Sequence, residues 1–509
     1  MINLTKTVNK LDSYQELLQK HKDGILLENI SAIASWDFEV MMPKKGVAQR
    51  SEELAFFGGL RHERNIDPKI GYLLDNCLVK ENYAKLTVPE KRNIELMQRE
   101  YDRNTKLPKD FVVKRAKHGA LATEKWKEAK KKADYSIFRD SLATSVDFMK
   151  QQAAYLDPDN DPYDVLLNVN EHGFTKKVYD KIFTEIKDGL IPIIKKCFDS
   201  PNQPDMSLIQ RKFPTDLQYK MAVDLAGLVE YDLDHGRIDV AVHPFSTGFY
   251  DDVRITVSYD ENDFTKCFYG AMHESGHALY SHNYPKEYKY QPLGECSSSA
   301  IHEGQARFIE NIIGRSPEFW EFYLPRFKKL TGKIFADVET KPFAHAINAV
   351  LPSKYRIFAD PVTYSLHVIV RYEVEKDLFA EKITIDELPQ VWNDKMKDYL
   401  GVEIENDSEG LLQDTHWAWY YFAYFPTYAL GSYYNGQFVW KMTQDIPDWK
   451  EQMRQGKLAN ILNWLNVNIR NKGALYDPLD LVKEVTGKEF STKYFIENTL
   501  EKCANFYGF

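Results

Sequence analysis

Two histidines four residues apart enclose a glutamate in residues 271–280, AMHESGHALY. An α-helix places residues i and i+4 on one face, so His273 and His277 could offer two imidazole nitrogens to one metal ion. Glu274 follows the first histidine and could act as a general base on a water held by that ion. The pattern is typical of zinc peptidases, although two unrelated core histidines can produce it by chance.

A zinc site of this kind needs a third protein ligand. Tyr280 and Asn283 stand where a longer form of the motif has Gly and His, so that form is excluded. Glu303 is the alternative, in the first turns of a helix that we expect to begin at 297–299 and to end at Gly314. It could instead simply complement the helix dipole. Other possible ligands are His302, Glu295 and Glu310.

The composition indicates a large, folded, acidic protein. The 509 residues are 43% hydrophobic and 14% aromatic, which allows a large core. The net charge is −9 and there is no long basic run, so a nucleic-acid partner is not expected. The five cysteines are scattered, as in a reducing compartment. We find no leader and no run of about 18 apolar residues, and therefore expect a cytoplasmic protein without membrane association.

Most of the chain shows the three- and four-residue apolar spacing of helices. Only residues 237–262 have the alternation of short strands, and they directly precede the metal motif. We expect a mainly α protein with a small sheet beside the metal-binding helix. We expect a single peptidase unit, residues 1–509, in two halves. Residues 1–205 would form a helical wall of a groove, and residues 206–509 would form the metal-bearing catalytic part.

Six short motifs follow one another along the chain: HPF (243–245), D-x-R-x-T (252–256), HExxH (273–277), HEGQ (302–305), Y-R-x-x-A-D (355–360) and G-x-x-Q-D-x-H-W (410–417). Together with Trp-Asp and Met-Pro in residues 35–63, they resemble the ordered motifs of the carboxypeptidase Taq metallopeptidases. Six elements in order are far more specific than any one of them.

The resemblance implies a helical fold with a long, deep groove, similar to that of neurolysin-like peptidases. It implies zinc, with cobalt as a possible substitute, held by His273, His277 and Glu303, and Glu274 as the catalytic base. It also implies a homodimer that removes single residues from the free C-termini of peptides, with broad specificity. The chain departs from the pattern at Pro361, where the family usually has Glu, and at the bulky segment 418–424, which could narrow the groove.

Further side chains could assist such a reaction. His416, Tyr424 and Tyr428 could donate hydrogen bonds to a developing oxyanion, although the tyrosines could equally belong to an aromatic core. Arg356 or Arg254 could bind a terminal carboxylate, unless each pairs internally with Asp360 or with Asp252. His243 of the HPF motif is also assigned to substrate binding.

Two other functions remain open. An oligopeptidase would cut internal bonds in the same groove, and an inactive helical scaffold would keep the fold without the chemistry. The complete set of candidate ligands and base argues against the scaffold. We also expect the strand in residues 254–259, RITVSY, to offer an edge to which an extended peptide can add.

Overall fold

The structure is a computed structural model that describes residues 10–509. Part of the segment on which the expectation of no leader rests, residues 1–9, lies outside the described residues. The first ten helices are α1 (Lys10–Val40), α2 (Val47–Asn65), α3 (Pro68–Leu78), α4 (Lys80–Tyr83), α5 (Val88–Thr105), α6 (Lys109–Lys132), α7 (Ser136–Leu156), α8 (Pro162–Asn170), α9 (Lys176–Asp199) and α10 (Thr215–Leu228).

Helices also make up most of the second part of the chain. They are α11 (Phe264–His282), α12 (Ser299–Arg307), α13 (Pro317–Thr331), α14 (Thr340–Ile347), α15 (Tyr364–Phe379), α16 (Leu388–Leu400), α17 (Phe425–Asp445), α18 (Trp449–Arg454), α19 (Ala459–Asn468), α20 (Pro478–Thr486) and α21 (Lys493–Tyr507). The prediction of a mainly α fold is confirmed. No helix within residues 10–509 combines the length and apolar character that a membrane crossing requires.

One small sheet lies between α10 and α11, as the alternation in residues 237–262 predicts. Its strands are β1 (Ile238–Val240), β2 (Ser246–Phe249) and β3 (Asp252–Val257), in the spatial order β1-β3-β2. β3 pairs in parallel with β1 and antiparallel with β2. The expectation that RITVSY offers a free edge is therefore wrong, because β3 is bonded on both sides. The edge strand on the hairpin side is β2.

The two helices that carry the metal motif residues are fixed by local signals and by close packing. Ser298 caps α12 by accepting a hydrogen bond from the N–H of Ile301 at 3.1 Å. The predicted helix does not continue uniformly to Gly314, because α12 gives way to a π-helical turn at Phe308–Ile313. A Cβ at Gly276 of α11 would lie 2.6 Å from Cα of Ala306, so only glycine allows this approach of α11 to α12.

The buried side chains form one large core and one small cluster near the start of the described chain. The large core includes residues on both sides of position 205, from Ala122 to Tyr507. The small cluster joins α1, α3 and α5 through Tyr14, Leu17, Leu73, Leu74, Cys77, Ile94 and Met97. The division into halves 1–205 and 206–509 stays a prediction.

Candidate metal centre

Three side chains from two helices converge at the candidate metal centre. His273 and His277 lie on α11 and Glu303 lies on α12. The Nε2 atoms of His273 and His277 lie 3.7 and 3.6 Å from Oε2 of Glu303. Two ligands of a tetrahedral zinc ion, each about 2.1 Å from it, lie about 3.4 Å apart. The three residues therefore fit one ion, and no other such group occurs within residues 10–509.

Two further charged side chains orient these ligands. Oε2 of Glu310 lies 3.0 Å from Nδ1 of His273, which leaves Nε2 of that ring free to face an ion. Nε of Arg307 donates to Oε1 of Glu303 at 2.7 Å, so the other carboxylate oxygen faces the histidines. Carboxylate partners of this kind fix the orientation of a ligating imidazole. Glu310, a weaker candidate ligand, thus orients the ligand His273 through the ring nitrogen that does not face the ion.

Glu274 is a buried carboxylate beside the two histidines of the metal motif. It follows His273 directly in sequence on α11, and only 6% of the residue is exposed. Oε2 has no hydrogen-bond partner within residues 10–509. Burial raises the pKa of Glu274, while the neighbouring His273 and His277 oppose the rise. A carboxylate with a raised pKa can accept a proton and later return it.

The other proposed third ligands lie elsewhere. The ring of His302 stacks on His277 with centroids 4.5 Å apart, and burial lowers its pKa to about 3. Glu295 lies before α12, with a carboxylate oxygen 3.4 Å from Nε2 of His21 on α1. Neither residue belongs to the convergent group of His273, His277 and Glu303.

Arg356 belongs to a buried ionic cluster and does not pair with Asp360. Its guanidinium donates to Oδ1 of Asp414 at 2.8 Å and to the hydroxyl of Tyr364 at 3.0 Å. Asp414 also accepts from Arg371 at 2.6 Å, so two guanidinium groups share one carboxylate. The cluster therefore keeps one positive charge in excess.

The structure brings His416, Tyr428 and Tyr424 together beside this cluster. Nε2 of His416 lies 3.1 Å from the hydroxyl of Tyr428, and the Tyr424 and Tyr428 rings have centroids 5.2 Å apart. Burial lowers the pKa of His416 to about 4, so the ring is neutral at pH 7. Burial raises the pKa of Tyr424 to about 12, and the Glu303 carboxylate contributes to the rise. Both tyrosines are partly exposed, unlike the buried Phe425 between them.

The remaining two predicted substrate-binding residues lie near the sheet. Arg254 on β3 makes two hydrogen bonds of 2.9 Å to Asp252, which is the internal pair considered as the alternative. Its guanidinium also lies 4.5 Å from the ring centre of Trp36. His243 lies in the exposed loop before β2. Neither side chain joins the Arg356 cluster.

Sequence reasoning missed four residues that shape the site: Arg307, Asp414, Arg371 and Glu375. Arg307 follows Glu303 by four residues, and that helical spacing could have indicated the ion pair. Asp414 lies inside a recognised motif, but no role was assigned to it. Nothing in the local sequence marks Arg371 or Glu375, because their partners are distant in the chain.

Nearly the whole chain matches known proteins. The model of the carboxypeptidase Taq (M32) metallopeptidase family matches residues 16–503. The chain belongs to this family. Carboxypeptidase 1 of Bacillus subtilis is 37% identical over 481 residues, which cover 94% of this chain and 95% of that protein. Thermostable carboxypeptidase 1 of Thermus thermophilus is 34% identical, with 97% and 99% covered.

Solved structures of M32 relatives share the fold. The M32 carboxypeptidase of Deinococcus radiodurans R1 superposes with a TM-score of 0.94 at 28% identity, covering 98% of this chain and 100% of that one. The carboxypeptidase of Pyrococcus furiosus gives a TM-score of 0.92 at 31% identity, with 97% and 99% covered. The M32 protein described here is thus a peptide hydrolase with metal-dependent carboxypeptidase activity, as predicted.

Proposed function

We propose that this M32 carboxypeptidase uses zinc, held by His273, His277 and Glu303, to remove single residues from the free C-termini of peptides. The observation that carries the proposal is the convergence of two Nε2 atoms on Oε2 of Glu303 at 3.6–3.7 Å. A zinc ion there would polarise the scissile carbonyl and lower the pKa of a bound water from about 16 towards about 7. Cobalt could substitute, because the same nitrogen and oxygen donors suit it.

Glu274 would move the proton. Its unpartnered Oε2 takes a proton from the attacking water and then delivers it to the leaving amine. Burial favours the protonated form of Glu274, which makes it a better acceptor for the proton of the attacking water. His416, Tyr424 and Tyr428 would donate hydrogen bonds to the oxygen of the carbonyl under attack. One such preorganised donor contributes about 3–4 kcal/mol.

Arg356 would bind the terminal carboxylate of the substrate. The two guanidinium groups that share Asp414 leave a positive charge, and His416 adds none because its pKa is low. An anionic chain terminus would balance that charge. The recognition of a carboxylate, with few side-chain contacts, would favour exopeptidase activity and broad specificity.

Arg254 and His243 would contact more distant parts of the substrate. β2 is an edge strand, and Arg254 lies opposite Thr247 in the β2–β3 register. A peptide extended along β2 would be held by main-chain hydrogen bonds that do not depend on side-chain identity.

Product analysis by mass spectrometry tests the proposal. A short peptide with a free C-terminus and its amidated form are each incubated with and without a chelator and added zinc. We expect stepwise loss of C-terminal residues from the free peptide alone, abolished by the chelator. Internal cleavage of both peptides would instead indicate an oligopeptidase. Absence of cleavage with added zinc would indicate that the bulky segment 418–424 blocks the groove, or that the protein is an inactive scaffold. The homodimer and the cytoplasmic location stay predictions.

A further inference from the structure

A cavity of about 200 Å³ adjoins the end of α12, the helix that carries Glu303. It lies between the end of α12, the start of α13, and α17, α18 and α21, and none of the metal ligands lines it. Its apolar lining includes Ile312, Val439, Trp449 and Phe506. Sites for drug-sized ligands have volumes of about 300–1,000 Å³, so this cavity suits a smaller molecule.

The cavity contains a cation, Lys502, that makes no direct ion pair within residues 10–509, although the more distant carboxylates of Asp360 and Glu318 raise its pKa slightly against the effect of burial. Four of the cavity's five charged lining residues are in ion pairs: Arg307 with Glu303, Glu318 with Arg454, and Lys450 with Glu501, which also lines the cavity. No ion pair or hydrogen bond to Lys502 is found within residues 10–509. Burial and the nearby Arg315 lower the pKa of Lys502 to about 8. A partly buried ammonium group that lacks a partner is costly, and an anion in the cavity would offset this cost.

Asn435 adds a fixed hydrogen-bond acceptor to the lining. It is only 2% exposed, and its Nδ2 donates to the carbonyl oxygen of Gly304 at 2.7 Å. That bond fixes the orientation of the amide, because Oδ1 in the same place would face another oxygen. Oδ1 of Asn435 then has no partner among the described residues. A ligand with an N–H donor would satisfy it.

We infer that this cavity binds a small apolar amino acid, whose carboxylate pairs with Lys502 and whose amino group donates to Asn435. The apolar lining receives the side chain. Free amino acids of this class are the products of the proposed reaction, and this link to product rests on the proposed function. The binding site itself does not depend on it.

Two residues that line the cavity connect it to Glu303 and Gly304 of α12. Arg307 lines the cavity and also holds Oε1 of Glu303, while Asn435 holds the carbonyl of Gly304, the next residue. A carboxylate near Lys502 would also attract Arg307 and weaken its hold on Glu303. The bound amino acid therefore lowers metal affinity, and the metal lowers amino-acid affinity by the same factor, because coupling between two sites is reciprocal.

Fluorine NMR with 4,4,4-trifluoro-L-valine, a small apolar amino acid, tests the inference on the full-length protein, both zinc-loaded and chelator-treated. We expect binding to both forms, at least tenfold weaker binding by Lys502→Met, and a similar loss for the probe's C-terminal amide. Lys450→Met is the matched control, because Lys450 lines the same cavity but already pairs with Glu501, and it should bind normally. Circular dichroism establishes that each variant is folded.

Arg356→Met separates this cavity from the proposed active site. Unchanged probe affinity in chelator-treated Arg356→Met supports the cavity. A loss in Arg356→Met with none in Lys502→Met places the probe at the active site and overturns the inference, as does no binding at all. Equal affinities of the zinc-loaded and chelator-treated proteins overturn the coupling. Because the readout is binding, these results stand whether or not the peptide assay shows carboxypeptidase activity.

Discussion

Glu375 is fully buried on α15 and anchors the aromatic segment that carries His416 and Tyr424. Its Oε1 accepts from Nε1 of Trp417 at 2.7 Å. Its Oε2 accepts from the N–H of Ala423 at 2.7 Å and from the hydroxyl of Tyr163 at 2.9 Å. Ala423 has a φ of 57°, in the left-handed region, so this bond holds a conformation that a non-glycine residue adopts at a cost.

The substitution Glu375→Gln removes one specific bond. If the Gln oxygen faces Trp417, its NH₂ group faces Ala423 and Tyr163. The Tyr163 hydroxyl can turn and accept a hydrogen bond, but the buried N–H of Ala423 cannot. A buried donor left without a partner costs about 1–3 kcal/mol, which we expect as the loss of unfolding free energy at pH 5.

The stability deficit of Glu375→Gln relative to the wild type should shrink as the pH rises. Burial raises the pKa of Glu375 from 4.5 to about 7, so the unfolded chain ionises first and the wild-type protein loses stability between these pH values. At about 1.4 kcal/mol per pH unit, this loss amounts to about 3 kcal/mol. Gln does not titrate, so by pH 8 the variant should be about as stable as the wild type, or more stable.

Urea unfolding of both proteins at pH 5, 6, 7 and 8 measures this trend. Glu373→Gln on the same helix is the control, because Lys187, Lys395 and Tyr399 lower the pKa of Glu373 against the effect of burial. Its stability deficit should develop as the pH rises through the lowered pKa and persist to pH 8. A Glu375→Gln deficit that stays constant or grows from pH 5 to pH 8 would refute the reasoning, since a constant deficit would mean that Glu375 is ionised throughout this range.

Three further predictions concern the metal centre and its packing. Glu274→Gln should keep its zinc, measured by elemental analysis, and lose about 10²–10⁴-fold in turnover; equal turnover would remove Glu274 from the mechanism. Glu303→Ala should lose most bound zinc, and unchanged zinc affinity in that variant would redirect the search for the third ligand. Arg307→Met should weaken zinc affinity about 10–100-fold in a chelator competition, and unchanged affinity would mean that Arg307 does not orient Glu303. Gly276→Ala should lower the unfolding free energy by about 1–3 kcal/mol, while Gly58→Ala on α2, with open space around it, should not. Equal melting temperatures of Gly276→Ala and Gly58→Ala would contradict the close approach of α11 to α12.

The sequence was sufficient where function depends on local geometry. His273 and His277 are four residues apart, and a helix alone puts them on one face, whatever packs around it. The alternation in residues 237–262 likewise predicted strands, because side chains in a strand alternate between faces. The residues favoured Glu303 but left His302, Glu295 and Glu310 open as other ligands, and the family motifs then singled out Glu303.

Tertiary structure decided what depends on residues far apart in the chain. Arg356 pairs with Asp414 and not with Asp360, although Asp360 is the nearer in sequence. β3 proved to be the central strand, because the pairing of β1 across it involves residues before the hairpin. The sequence likewise could not show that Lys502 makes no ion pair among the described residues, because it gives the charge but not the partner that folding supplies. The chain therefore determined by itself which groups could do chemistry, whereas the packing of distant helices decided which charges are neutralised and which remain available to a ligand.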